Sequence, residues 1–153
     1  MALSAGDAAP AFTLDNDAGG QTRLSDFKGK TLVIYFYPRD NTPGCTVEAQ
    51  AFRDLHGEFA QKDVTILGVS PDSVASHQKF KAKYELPFTL LSDPDHAMLE
   101  AYGAWGEKTL YGKKSMGVIR STVIIGPDGR VIKAWPKVQV KGHAEAVLSA
   151  CAV

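Results

Sequence analysis

A chain of 153 residues, 44% hydrophobic and 22% charged, has material for one compact domain with a substantial core, spanning residues 1–153, and no surplus for a second. Lys plus Arg and Asp plus Glu both number 17, so no net field recruits nucleic acid or an anionic membrane. Two cysteines, Cys45 and Cys151, are too few for a disulfide-stapled scaffold or a Cys-rich zinc site. No segment approaches the ~20 apolar residues of a membrane span, and MALSAGDAAPAF has no targeting pattern, so a reducing, cytoplasmic setting is expected.

In chain order, residues 11–24 hold a strand candidate AFTLDN, a turn at AGGQ and a second strand in QTRLSDF, a hairpin expected to decorate the fold. Leu32 to Tyr37 is an unbroken apolar run, the pattern of a strand covered on both faces, and Pro38 stops it. RDNTPG is a loop, after which Ala49, Phe52, Leu55 and Phe59 recur at helical spacing. Val64 to Ser70 is a second apolar strand, and Pro71-Asp72-Ser73 opens a helix with Val74, His77, Phe80 and Tyr84 on one face. PFTLLSD follows as a strand and DPDHAMLEAYGA as a short capped helix, whereas WGEKTLYGKKSMG is expected to be a long polar loop. IRSTVIIGPDGRVIKAW is two antiparallel strands joined through Pro127-Asp128-Gly129. A last helix from about Gly142 puts Ala144, Val147, Leu148 and Cys151 on an apolar stripe.

Strand, helix, strand, helix implies parallel pairing through right-handed crossovers. With the hairpin and closing helix added, the expected fold is α/β and thioredoxin-like: a mixed central sheet flanked by helices, with an N-terminal β-hairpin. Cys45 falls in the first turn of the helix after the first buried strand. A lone cysteine is more often a small buried hydrophobe than a nucleophile, so its address has to carry the argument. Unpaired N–H groups and the macrodipole at a helix start favour an anion, and thiols so placed beside a cation titrate at roughly 3.5–7.5 instead of about 8.5. The strand starting near Ile119 runs antiparallel to the first buried strand, which brings Arg120, a permanent cation, toward Cys45. The same geometry sends the closing helix away and leaves Cys151 about 15 Å from that end of the sheet, beyond the ~7 Å a disulfide spans. Cys151 is expected to be a packing residue, and no resolving cysteine is expected.

The octapeptide Pro38-Arg39-Asp40-Asn41-Thr42-Pro43-Gly44-Cys45 resembles the peroxiredoxin signature of Pro, three residues, Thr, two residues, Cys. YFYP, TPGCTVEAQAFRD, PFTLLSD, YGAWGEKTLYGKKSMGVIRSTVII and PDGRV extend the likeness, to the bacterioferritin-comigratory or peroxiredoxin Q subfamily, over about Ala5 to Val147. The resemblance implies a thiol peroxidase in which Cys45 becomes a sulfenic acid, Thr42 holds it and the peroxide, and Arg120 is its cationic partner. Glu48 also falls at a subfamily position; as a first-turn acid it has an equally good structural role at the macrodipole. Pro38 and Pro43 shape the loop, Gly44 lends an N–H group, and Trp105 packs. Many subfamily members carry a resolving cysteine five residues on, where this chain has Gln50, and none lies between Ser73 and Leu86. An outside thiol, from thioredoxin, glutaredoxin or a small molecule, is therefore expected ahead of an intermolecular bridge or a resolving role for Cys151 after local unfolding, with a monomer or weak dimer and no cofactor. His56, His77, His96 and His143 lack ligand spacing and are expected to be ordinary helix or loop residues, with no metal. A thioredoxin-type reductase is the rival enzyme, but Thr42 and Glu48 stand where Cys-x-x-Cys needs its second cysteine. A redox sensor relaying Cys45 oxidation to a partner is the rival from another class.

Overall fold

The computed structural model describes residues 3–151, apart from the side chain of Leu110. Strand β1 (Thr13–Asn16) and β2 (Gln21–Arg23) lead through a 3-10 turn (Leu24–Phe27) to β3 (Thr31–Phe36), α1 (Pro43–Gln61), β4 (Val64–Ser70) and α2 (Val74–Tyr84). The chain continues as β5 (Thr89–Ser92), α3 (Ala97–Ala101), β6 (Trp105–Leu110), β7 (Lys113–Val118), β8 (Ser121–Ile125), β9 (Val131–Trp135) and α4 (His143–Ala150).

Seven strands form one mixed sheet in the order β2-β1-β5-β4-β3-β8-β9. The interior strand β3, next to the central β4, is parallel to β4 and antiparallel to β8. Leu32 to Tyr37 are all buried, and alternate side chains serve opposite faces. Val33, Tyr35 and Tyr37 join a core with Cys45, Ala49, Phe52 and Phe59 of α1, Phe80 of α2 and Val147 of α4. Leu32, Ile34 and Phe36 pack on the other face against Met98, Leu99 and Tyr102. The sheet is thus flanked by helices as the α/β pattern requires, and among the described residues no helix is long and apolar enough to cross a membrane.

Two expectations are corrected. The N-terminal hairpin is no decoration: β1 pairs with β5 through Asp15–Ser92 and Asn16–Leu91 and widens the central sheet. Residues 105–118 are a hairpin rather than a loop, with Trp105 opposite Val118 and Leu110 opposite Lys113. Its turn puts Tyr111 at φ 52 and Gly112 at φ 78, the left-handed pair that a two-residue hairpin turn needs. The hairpin pairs only with itself; Val118 and Trp105 at its base pack on the core, but Glu107 to Thr109 and Tyr111 to Met116 are exposed, so no apolar alternation marks it in the sequence. Tyr111 at its tip is 96% exposed.

Candidate active site

The carboxyl end of β3 delivers the chain to Pro38, and Tyr37 still donates its N–H to Val69 O at 3.0 Å, so the loop leaves from an anchored point. Thr42 is the N-cap of α1, Pro43 the first helical residue, and the first helical hydrogen bond runs from Thr46 N–H to Thr42 O at 2.8 Å. Proline suits that first position because its missing N–H would have no partner there. Cys45 is therefore the third helical residue, as expected, and is 2% exposed.

Arg120 lies between β7 and β8, and its carbonyl oxygen is held by the N–H of Val138 at 2.8 Å. Because Ser121 pairs with Phe36, the antiparallel register sets Arg120 beside the end of β3 from which the Cys45 loop departs. Its Nη2 donates to Cys45 Sγ at 3.3 Å and its Nη1 to Glu48 Oε1 at 2.6 Å. Gly44 makes this approach possible, since a Cβ there would lie 3.3 Å from Nη2. Burial alone disfavours the guanidinium, but Glu48 and Cys45 override it and raise the Arg120 pKa, so Arg120 stays charged.

Glu48 departs from the reading as a first-turn acid. With α1 starting at Pro43 it is the sixth helical residue, past the first turn, and only 1% exposed. Burial pushes its carboxyl up to about 7, with Arg120 pulling the other way. Thr42 Oγ1 donates to Arg39 O at 2.8 Å. Its hydrogen thus points to the loop backbone, and its lone pairs remain for a donor. Pro38 is half-buried at the start of the same loop.

Cys151 and Cys45 are both free thiols. Cys151 sits at the end of α4 within the electrostatic reach of Lys62, the residue that caps the far end of α1, and burial raises its pKa. Lys62 is 17 residues beyond Cys45 along α1, which at ~1.5 Å per residue is roughly 25 Å. The two sulfurs thus occupy opposite ends of one helix, well outside the ~7 Å limit between bridgeable Cα atoms.

Sequence reasoning missed a second buried cluster behind the loop. His77 of α2 is fully buried, with Nδ1 2.7 Å from Asp40 Oδ2 and Nε2 2.8 Å from Leu91 O. Tyr37 Oη donates to Asp40 Oδ1 at 2.6 Å, Ser76 Oγ to Oδ2 at 2.8 Å, and the Asp40 N–H to Asp72 Oδ2 at 2.7 Å. Asp40, Asp72 and His77 bring ligand atoms within 4.8 Å of one another. Both His77 nitrogens are already committed, however, and the cluster reads as a tie between loop and helix. His143 is likewise buried, 2.8 Å from Thr122 Oγ1, with its pKa lowered to about 4 by burial and by Arg120. His96 stacks on Trp105 at 3.7 Å between ring centroids. The one signal available for His77 was its position on the apolar stripe of α2, where an imidazole requires partners.

A thiol at the start of a helix, closed off from water and met by a guanidinium, on a thioredoxin-like sheet, is the arrangement of a thiol-dependent peroxidase. The family model described as the AhpC/TSA family matches residues 5–134. Peroxiredoxin Bcp of Bacillus subtilis is 51% identical over 148 residues, covering 97% of this chain and 94% of that protein. A structure of peroxiredoxin Q from Xanthomonas campestris superposes with a TM-score of 0.88 at 48% identity, covering 92% of this chain and 89% of that one. A Xylella fastidiosa peroxiredoxin Q variant gives 0.92 at 41% identity, over 97% and 95% of the two chains. This chain belongs to the AhpC/TSA family, among the peroxiredoxins of the Bcp and Q kind. It is a thiol peroxidase that takes a peroxide as substrate and a thiol as reductant; the sensor reading is not favoured.

Proposed function

We propose that the chain reduces hydrogen peroxide and organic hydroperoxides through Cys45, with Arg120 and Thr42 completing the catalytic set and Pro38, Gly44 and Glu48 supporting it. The observation that carries this is the single guanidinium bound 2.6 Å to buried Glu48 and donating 3.3 Å to Cys45 Sγ. In the reaction the Cys45 thiolate attacks one oxygen of HO–OR. An S–O bond forms, the O–O bond breaks with its electron pair leaving on RO⁻, and RO⁻ takes up a proton to become water or an alcohol. Negative charge moves from sulfur to the departing oxygen, so donors already fixed around that path stabilise the transition state more than the ground state. Arg120 is such a donor, as are the first-turn N–H groups of Gly44 and Cys45. Thr42 Oγ1, its own hydrogen given to Arg39 O, accepts the peroxide O–H and orients the nucleophile's target.

For the return half, an outside thiol attacks the sulfenic acid, releases water and forms a mixed disulfide, and a second thiol frees Cys45. The roughly 25 Å separation of Cys45 and Cys151 along α1 supports an external resolving thiol over an internal one. Thioredoxin, glutaredoxin or a small thiol meets this requirement. Organic substrates are in keeping with the Xanthomonas campestris bacterioferritin comigratory protein, a relative whose structures are described in terms of alkyl peroxide reduction activity. We take residues 1–153 as one domain, acting as a monomer or weak dimer in the cytoplasm, with no nucleic acid or membrane partner.

Intact mass after one equivalent of peroxide, with a dimedone-type trap, tests this on wild type and on Cys151→Ser. Both should carry a trapped sulfenic acid at Cys45 and no disulfide; loss of two hydrogens in wild type alone would assign the resolving role to Cys151. Cys45→Ser should abolish turnover with the fold intact, and retained turnover would remove Cys45 from the mechanism.

A further inference from the structure

At the end of the sheet away from Cys45 the protein holds a cavity of about 580 Å³. Leu32 and Ile125, which pair across β3 and β8, line it, whereas the same register reaches Phe36 and Ser121 at the end where the Cys45 loop departs. The four steps from Leu32 to Phe36 separate the two places by roughly 13 Å along β3, before the loop is counted. The walls are the entry to β1 (residues 11–13), the 3-10 turn with its exit (residues 24–30) and the β8–β9 turn (residues 126–129). They are fastened to one another: the N–H of Leu24 donates to Phe12 O at 3.2 Å and that of Gly29 to Pro127 O at 3.1 Å. The cavity is thus preformed, and its volume lies within the roughly 300–1,000 Å³ of small-molecule sites.

Inside and rim have opposite chemistry. Phe12, Leu32 and Ile125 are buried, and Leu24 and Phe27 pack half-buried on the same core. The buried side-chain atoms that lack a partner among the described residues, on Tyr35 and Glu48, are not among those lining the cavity. Its interior therefore rewards apolar area. The rim is cationic. Arg23 and Lys28 stand at the two ends of the 3-10 turn and Lys30 follows, all three exposed, and none forms an ion pair among the described residues. One acid lines the cavity, Asp128, and its Oδ1 already accepts the Arg130 N–H at 3.1 Å. In a chain whose 17 basic and 17 acidic residues cancel, three cations against one acid around an apolar cavity are a local imbalance.

We propose that this cavity binds a single fatty-acid anion, with the alkyl chain inside and the carboxylate at the edge formed by Arg23, Lys28 and Lys30. An alkyl chain gains from the apolar interior and asks for no hydrogen bond there. A carboxylate matches the planar fork of a guanidinium and the point charge of an ammonium, and it stays in water at the rim, where no desolvation has to be repaid. A neutral apolar molecule would leave the cations unused, and an alkylammonium would be repelled by them. The site is separate from the one that meets peroxide, and nothing in the argument depends on the roles given to Cys45 and Arg120.

The test is an amide NMR titration of the full chain with octanoate, decanoate and dodecanoate, each kept below its micelle concentration. Saturable shifts should centre on Phe12, Thr13, Lys28, Gly29 and Gly129, and affinity should rise roughly fourfold for each added methylene. Decanol should bind roughly tenfold more weakly than decanoate, because it forgoes the three partly solvated cations, and decylamine more weakly still. Lys28→Glu/Lys30→Glu should weaken decanoate by at least about tenfold and leave decanol unchanged. Its amide spectrum shows that it folds, and its peroxide rate should match wild type. No shift up to on the order of a millimolar dodecanoate overturns the proposal. So do shifts centred on the Cys45 loop, decanol binding as tightly as decanoate, or a charge reversal without effect on decanoate. Two further arms separate other occupants. The same amides broadening with anionic phosphatidylglycerol vesicles but not with monomeric decanoate would assign a membrane surface, and broadening with protein concentration alone would assign a second copy of the chain; either result overturns the fatty-acid assignment.

Discussion

Two polar clusters flank the Pro38–Gly44 loop, and their hydrogen-bond accounts differ. In the cluster of Asp40, His77, Tyr37, Ser76 and Asp72, both His77 nitrogens and both Asp40 oxygens have partners at 2.6–2.8 Å. In the cluster of Cys45, Arg120 and Glu48, the carboxylate oxygen Oε2 of Glu48 has none among the described residues. The first arrangement is closed, and adds rigidity to the loop it ties to α2. The second, proposed above to meet the peroxide, is held on one side by the Arg120–Glu48 bond and left open at Glu48 Oε2. Closed networks hold a structure, whereas chemistry occurs where the account is left open.

The largest way to break this contrast is His77→Ala, which strands the Asp40 carboxylate in the core. Removing one partner of a buried ion pair costs about 3–5 kcal/mol, so the urea midpoint should fall sharply. The rate of the surviving folded fraction with peroxide should change far less than its stability does. A small stability loss would mean that the tie is ornamental.

Arg120→Met addresses the other cluster, and there the peroxide rate should fall sharply in addition to the stability lost when buried Glu48 loses its partner. Losing a preorganised donor at the developing charge costs about 10²–10³ in rate, or roughly 3–4 kcal/mol of transition-state stabilisation. Stopped-flow peroxide consumption measures it, and a wild-type rate constant in a folded variant would remove Arg120 from the mechanism. Arg120→Lys should fall between, since one ammonium cannot bridge Sγ and Oε1 in the planar fork of a guanidinium.

Much of this was legible in the sequence, and the failures share one cause. The strand from Leu32 and the helix opening around Cys45 were readable because a continuous apolar run, a Pro-Gly loop and a helical stripe are local signals. Arg120 followed from strand direction alone, and the contact at 3.3 Å bears that out. The β6–β7 hairpin was invisible because its outer part, exposed from Glu107 to Thr109 and from Tyr111 to Met116, has no alternation to read. The attachment of β1 to β5 joins Asp15 to Ser92, a pairing no local pattern encodes. His77 is a helix residue as read, but its tie to Asp40, 37 positions away in a loop, was not legible for a similar reason. Glu48 could be read equally as a first-turn acid or as a site residue, because its burial belongs to the packed helix and not to the residue type.

Gly44→Ala is a subtler probe of the open cluster. The added Cβ would sit 3.3 Å from Arg120 Nη2, and the guanidinium, already fastened at Glu48, has to yield by a few tenths of an ångström. Alanine also suits a helical position better than glycine, so stability should hold or rise by up to about 1 kcal/mol. The peroxide rate should nonetheless drop, by roughly tenfold or about 1.4 kcal/mol. A variant that gains stability without losing rate would show that the Arg120–Cys45 distance has slack.

The gentlest probe is pH, because the two buried histidines should respond with opposite signs. At His77, burial opposes the imidazolium, but Asp40, bound to Nδ1, overrides it with help from Leu91 O and Asp72, and the folded pKa is raised. The folded state then binds this proton more tightly than the unfolded chain. Its stabilising contribution is complete below about pH 6.5 and is lost as pH rises through the folded value, with a slope of at most about 1.4 kcal/mol per pH unit. At His143, burial and then Arg120 depress the pKa to about 4, so its contribution is present above about pH 6.5 and is lost as pH falls toward 4. Urea unfolding across this range should therefore show His77→Ala converging on wild type as pH rises. His143→Asn should converge on wild type as pH falls. Opposite slopes from two imidazoles in one core follow from what each one faces, a carboxylate in the closed cluster and a guanidinium in the open one, and parallel slopes would erase that distinction.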